Sequence, residues 1–233
     1  MNDPLVSLQA RLGYVFTRPA LLLEAVTHPS YLNEHPGAGP HNQRLEFLGD
    51  AVLGHVLTTE LFLLFSVEPE GALSRRRSVL NNGRTLAALA LDLGLDATLR
   101  LGGSENTPEG RTRPSNLEDA FEALIGALYL DAGLETTRAR VLAIYGPVHE
   151  RLAAGLEGDN PKGRLQELVQ PLHGNSALRY ETVQCGGADH AKEYACTLTL
   201  ADRPLGSGRG PSKKTAEEAA AREALKTYPA GGI

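Results

Sequence analysis

The chain has 233 residues, 42% of them apolar, no Trp, and a formal net charge of −5. This length allows one large or two smaller domains, and Leu, Ala and Val must fill most of the core. The net acidity alone argues against a nucleic-acid partner, but it is unevenly spread: ten Lys and Arg stand against nine Asp and Glu from Asp159 onward, and thirteen against nineteen before it.

The opening MNDPLVSLQA lacks a basic stretch followed by an apolar run, so no signal peptide is expected. No uncharged apolar segment reaches the roughly 18 residues of a membrane span, so no membrane association is expected and the protein reads as cytoplasmic. Helical spacing over Leu5–Leu12 predicts a first helix ended by Gly13, and Arg18–Val26 a second with Pro19 in its first turn. Residues Asn33–Asn42 form a Gly/Pro loop. Asn42–Phe65 then predicts one long helix, apolar on nearly every side and so buried in the middle of a bundle. Two helices, Glu70–Val79 and Arg84–Leu93, and a polar loop, Leu101–Pro114, follow. Ser115 reads as an N-cap, with Glu118 completing a capping box for a helix over Asn116–Asp131. Gly133 breaks that helix, and Glu135–Leu152 is a last one. The region carries no strand signal and is read as an all-α bundle over residues 1–154.

A linker at 155–161 (GLEGDNP, from Gly155 to Pro161) precedes a second domain over 162–233. Its pattern is α-β-β-β-α: a helix at Lys162–Leu172, strands at Arg179–Cys185, Glu193–Ala201 and a short Pro204–Ser207, and an Ala-rich helix at Thr215–Tyr228. Cys185 and Cys196 have no CxxC spacing, so they form neither a zinc site nor a disulfide framework and read as buried hydrophobes in a reducing compartment.

Two acidic pairs interrupt the apolar helices. Glu46 and Asp50 are four residues apart on the long helix, and Asp119 and Glu122 three apart on the helix after Ser115. Each pair therefore lies on one helical face. Packed side by side, the two helices would bring four carboxylates together, an oxygen-only set suited to a hard cation such as Mg²⁺. Spacing alone leaves a second reading open, that of exposed acids or salt-bridge partners.

In the tail, Ser212 is a candidate N-cap that places Lys213 and Lys214 in the first turn of the last helix. Two lysines there oppose the helix dipole, whereas a phosphate would be held by both. His190 in the loop between the first two strands, and Gln166 and Glu167 on the first tail helix, gain meaning only if they share a face with those lysines. Such a face would read duplex RNA by shape.

The run Asn42-Gln43-Arg44-Leu45-Glu46-Phe47-Leu48-Gly49-Asp50-Ala51-Val52-Leu53 closely resembles the signature of bacterial ribonuclease III. Thr27-His28-Pro29-Ser30-Tyr31 and Leu117-Glu118-Asp119-Ala120-Phe121-Glu122-Ala123-Leu124-Ile125-Gly126 match as well, and the tail resembles a double-stranded RNA-binding domain. The resemblance implies a dimeric, all-α endonuclease domain followed by a small α+β RNA-binding domain. It implies a homodimer that cuts both strands of double-stranded RNA, leaving 5′-phosphates, 3′-hydroxyls and short 3′ overhangs, in processing ribosomal RNA precursors and structured messenger RNAs. By position it implies Glu46, Asp119 and Glu122 as Mg²⁺ ligands, with Mn²⁺ able to substitute and no small-molecule cofactor. Asp50 would orient and help deprotonate the attacking water, with Glu122 also catalytic and Glu70 an auxiliary acid near the metal. Gln166, Glu167, His190, Ser212, Lys213 and Lys214 would touch RNA. Two positions depart from the family: Gln43 replaces the usual Glu, and Gly163 a usual Thr or similar residue.

Overall fold

The structure, a computed structural model, describes residues 3–152, 161–174, 177–186 and 192–228, including their side chains except those of Glu167 and Pro171. The chain divides into two compact units, Met1–Leu152 and Ala153–Ile233. Apart from Pro161, the expected linker lies outside the described residues.

The first unit is helical: α1 (Pro4–Leu12), α2 (Pro19–Ala25), α3 (Pro29–Glu34), α4 (Gln43–Leu64), α5 (Glu70–Leu80), α6 (Gly83–Leu93), α7 (Pro108–Arg111) and α8 (Pro114–Tyr145). Local chemistry sets many of the boundaries. Proline occupies the first turn of α1, α2, α3, α7 and α8, where its missing N–H is no loss. Asp3, His28, Asn82 and Thr107 accept backbone N–H groups as caps of α1, α3, α6 and α7. Gly13 and Gly94 close α1 and α6 in the left-handed conformation, at φ 69° and 74°.

The core lies between α4 and α8. Leu53, Val56, Leu57 and Leu61 from α4 meet Leu117, Phe121, Leu124 and Leu128 from α8, all buried. The two backbones nearly touch at two glycines. A methyl group on Gly49 would fall inside the Glu122 carbonyl, and one on Gly126 inside the Leu45 carbonyl. The N-terminal segment is fastened to α8 through Asp131. Its carboxylate accepts from the Tyr14 hydroxyl at 2.9 Å, the Thr17 hydroxyl at 2.7 Å and Arg18 Nε at 3.0 Å. Burial works to raise this acid, but the bonds from Thr17, Arg18 and Tyr14 hold it at about 2.

The second unit runs α9 (Pro161–His173), β1 (Leu178–Gly186), β2 (Glu193–Leu200), β3 (Arg203–Gly210) and α10 (Lys213–Thr227). The strands form one antiparallel sheet in the order β1-β2-β3. Ala201 and Asp202, at φ 47° and 65°, make the tight turn that matches strand twist between β2 and β3. Alanines make α10 thin on its inner face, and Gly206 and Gly208 of β3 pack directly against Ala216, Ala220 and Ala224.

Several expectations need correction. α7 falls inside the expected loop Leu101–Pro114, and α3 in a stretch for which the sequence predicts no element; their proline starts and side-chain caps stabilise short helices that apolar periodicity does not reveal. Ser115 is not a cap. Pro114 starts α8 two residues earlier with Arg113 at the cap, so Glu118 is free of a capping box. α8 bends at Gly133 (φ 77°) and ends at Tyr145, because Gly146 and Pro147 break it; a separate helical turn covers residues 148–152. The all-helical reading misses one parallel bridge, Thr27 to Arg100. β3 is longer than expected, and Cys185 is exposed while Cys196 is buried. α4 is long and apolar enough to cross a membrane by composition alone, yet one of its faces forms the bundle core. It is not buried all round: Phe47, Phe62 and Leu63 are 84%, 67% and 63% exposed.

The glycine contact gives a test within one helix. Gly49→Ala should destabilise the protein by about 1–3 kcal/mol through overpacking. Gly54→Ala, where a methyl group meets nothing within 4 Å, should be neutral or stabilise by up to about 1 kcal/mol through helix propensity. Thermal melts of the two variants check both signs.

Candidate active site

The glycine crossing places the acidic pairs in register. Gly49 immediately precedes Asp50 and lies against the Glu122 backbone, while Leu45 immediately precedes Glu46 and lies against Gly126. The faces of α4 and α8 that carry Glu46, Asp50, Asp119 and Glu122 therefore confront each other across the closest approach of the two helices. The electrostatics follow. Burial, then the charges of Asp50, Glu118, Glu46 and Asp119, push the Glu122 carboxyl up to about 8. Burial and the charges of Asp119 and Glu118 raise Glu46. Burial raises Asp119, and the nearby His28 partly offsets it. His28 is itself pushed down by burial, and its Nδ1 is engaged as the α3 cap, accepting from the Ser30 N–H at 3.1 Å.

Glu118 is the member that sequence reasoning missed. The expected capping box does not form: with α8 starting at Pro114 the Glu118 carboxylate turns to the cluster, raised by burial and by Asp119 and Asp50. The signal was Pro114, whose preference for the first helical position moves the cap off Ser115.

Among the described residues none of these five carboxylates enters an ion pair; the ion pairs that are described join other groups, such as Arg76 with Glu68 and Arg138 with Glu60. The hydrogen bond described to the cluster from another side chain is Asn81 Nδ2 to Asp50 Oδ1, at 3.4 Å. Like charges without an ion-pair partner repel, and no three of the described acids close on one point as a finished metal shell. The donor set still fits a hard divalent cation: oxygen only, with an excess negative charge that His28 offsets only in part, at Asp119.

Glu70 is not brought to this cluster within one chain. It opens α5 and accepts from the Ser74 hydroxyl at 2.8 Å, whereas Asn81, just beyond the other end of that helix, touches Asp50. An 11-residue helix separates its ends by about 15 Å. Between α4 and α5 runs a polar cleft of about 640 Å³, lined by Asp50, His55, Thr58, Ser74, Arg77 and Asn81 among others.

In the second unit Ser212 caps α10 as expected, in a capping box with Thr215. Lys213 and Lys214 are exposed in its first turn. Lys162 and Thr182 hold Glu217 at 2.5 Å and 3.2 Å, tying α9 and β1 to the start of α10. Gln166 is partly exposed on α9. His190 and the side chain of Glu167 lie outside the described residues.

A helical unit with an acidic cleft, joined to an α-β-β-β-α unit with a lysine-bearing helix start, defines a nuclease-type protein carrying an RNA-binding module. Residues 18–147 match the "Ribonuclease-III-like" family and residues 161–228 the "Double-stranded RNA binding motif". The chain is 43% identical over 229 residues to "Ribonuclease 3" of Carboxydothermus hydrogenoformans, covering 97% of this chain and 96% of that one. It is 42% identical over 228 residues to "Ribonuclease 3" of Alkalilimnicola ehrlichii, at the same coverage. Among solved structures, the nuclease domain of ribonuclease III from Campylobacter jejuni is similar at TM-score 0.56 and 36% identity, over 62% of this chain and 93% of that one. The chain belongs to the ribonuclease III family and is an endoribonuclease.

The raised Glu122 carboxyl makes a stability prediction for metal-free protein. Folded, Glu122 keeps its proton up to about pH 8, far above its ordinary 4.5. The unfolded chain binds fewer protons across that window, so this contribution to stability is present in acid and is lost as pH rises through about 8. In chelator, Glu122→Gln should flatten the fall of melting temperature over that window, as read by melts at several pH values.

Proposed function

We propose that the protein hydrolyses both strands of double-stranded RNA in a Mg²⁺-dependent reaction, with Mn²⁺ able to substitute. The products carry 5′-phosphate and 3′-hydroxyl ends with short 3′ overhangs. The observation that carries this reading is the confrontation of Glu46 and Asp50 with Asp119 and Glu122, without an ion-pair partner among the described residues, in a chain that also bears a double-stranded RNA-binding motif.

Glu46, Asp119 and Glu122 would hold the cation: burial raises all three, and neighbouring carboxylates raise Glu46 and Glu122 further, so each gains from a positive partner. When bound, the cation supplies Lewis-acid stabilisation of the phosphodiester and makes a water acidic enough to attack. Glu122 must give up its proton to become a ligand, which ties metal affinity to pH. Asp50, at the edge of the polar cleft, orients the attacking water and accepts its proton. The acids repel RNA phosphate until they are neutralised, so the bare site does not draw in its substrate.

The RNA-binding unit supplies salt-dependent, largely sequence-blind affinity through Lys213, Lys214 and the start of α10, with Gln166, Glu167, His190 and Ser212 completing the contact face. The exposed apolar side chains Phe47, Phe62 and Leu63 on α4 support a homodimer through the helical unit. A solved relative from Campylobacter jejuni is described by a region involved in dimer formation of its nuclease domain. Two clefts in one dimer would cut the two strands. Ribosomal RNA precursors and structured messenger RNAs in the cytoplasm are the proposed substrates, on the strength of the family resemblance. Glu70, remote from the cluster of its own chain, keeps an auxiliary role only if assembly brings it to a cleft.

Glu122→Gln should bind duplex RNA as the parent does and fail to cut it in Mg²⁺, as read by gel shift and product analysis; full cleavage would remove Glu122 from the site. Deletion from Asp159 onward should leave cleavage intact at low salt and reduce it steeply near physiological salt. Equal salt sensitivity of the two proteins would reject the division of labour.

A further inference from the structure

The turn Asn81-Asn82-Gly83 between α5 and α6 faces the acid cluster from the side. It is tightly fastened. The Asn81 N–H donates to the Arg77 carbonyl at 2.8 Å as the end of α5. Asn82 donates through Nδ2 to the Ser78 and Val79 carbonyls at 3.0 and 2.8 Å, and its Oδ1 caps α6 by accepting from the Thr85 N–H at 3.0 Å. The turn touches acids of both helices. Asn81 Nδ2 donates to Asp50 Oδ1 at 3.4 Å. Gly83 packs so closely on the Glu118 carboxylate that a Cβ there would collide with it.

The chemistry of Asn81 suits one task. A carboxamide holds a carboxylate by a hydrogen bond without cancelling its charge, whereas Lys or Arg at this place would neutralise Asp50 and compete with a cation. The direction of the amide is fixed, because turning it over would set its oxygen against the Asp50 oxygen. In the direction adopted, Asn81 Oδ1 is buried without a partner, so the side chain gives up one bond to make the contact with Asp50.

We propose that Asn81 is a positioning residue that fixes the Asp50 carboxylate, engaging Oδ1 and leaving Oδ2 to face the attacking water. This rests on the reading of Asp50 as the acid that orients that water. Glu118 and Gly83 set the other wall, so the turn joins the α4 and α8 sides of the cleft.

The test uses the full chain with long duplex RNA in Mg²⁺. Asn81→Leu keeps the bulk and removes the donor. It should lower kcat by about ten- to a hundredfold, as the loss of an outer partner of a site residue does, and leave KM near the parent value. Asn81→His, which offers a ring N–H, should recover part of the loss. A purely structural role would instead lower the melting temperature and spare kcat at temperatures where the variant is folded. A second measurement needs no metal: in chelator, the side-chain NH₂ signals of Asn81, assigned by their loss in Asn81→Leu, should shift on Asp50→Asn. If Asn81→Leu folds poorly, Asn81→Asp carries the same arm with the same shape and no donor, and should also lose kcat. Parent-like kcat in the folded donor-free variant, or NH₂ signals unmoved by Asp50→Asn, overturns the inference alone. Absence of cleavage by the parent overturns the nuclease reading instead, and the metal-free spectra then still decide whether Asn81 holds Asp50.

Discussion

The backbone contact between α4 and α8 at Gly49 and Gly126 is the constraint on which the rest of the catalytic unit depends. Two helices that carried side chains at these positions would stand farther apart. Their acidic faces would then no longer confront each other across one narrow gap. Because Gly49 abuts Glu122 and Gly126 abuts Leu45, the same contact sets both the distance and the register of the helices. The buried leucines on either side hold the crossing in place. Packing and function are thus served by one structural feature.

That feature works against electrostatics. Four half-buried carboxylates, Glu46, Glu118, Asp119 and Glu122, crowd the gap with no ion-pair partner among the described residues and are costly to ionise, and Glu122 answers by keeping its proton up to about pH 8. A structural role would be better served by apolar side chains at the same positions. The arrangement makes sense where a divalent cation supplies the missing charge. The site then gains in two ways, by relief of repulsion and by a ligand set made of hard oxygen donors. In the proposed function the acidic first unit and the slightly basic second one would divide the work accordingly: the second would hold phosphate without help, and the first only once it is neutralised.

Much of this was legible in the residues. The spacing of Glu46 with Asp50 and of Asp119 with Glu122 told which faces they occupy, and the apolar character of their helices told that those faces were near a core. The α-β-β-β-α order followed from alternating strands and an Ala-rich helix. What periodicity could not convey was anything set by a tertiary contact or a single cap. α3 and α7 are too short to show a period. Glu118 sits where it does because Pro114 starts the helix two residues early. Asn81 looked like a separator between helices, since its contact with Asp50 is 31 residues away in the chain. Glu70 matched the family by position, yet the length of α5 carries it away from the cluster of its own chain. The exposed stripe on α4 was hidden by the hydropathy of the whole helix, which reads as buried on all sides. The glycines were visible as letters, but their partners across the crossing were not.

The central claim is that α4 and α8 together cradle divalent cations. Anomalous diffraction from crystals soaked in Mn²⁺ tests it most directly. The account predicts manganese in the gap, with carboxylate oxygens of Glu46, Asp119 and Glu122 in its coordination shell. Manganese bound only elsewhere on the protein, while these acids still face one another across an empty gap, would contradict it.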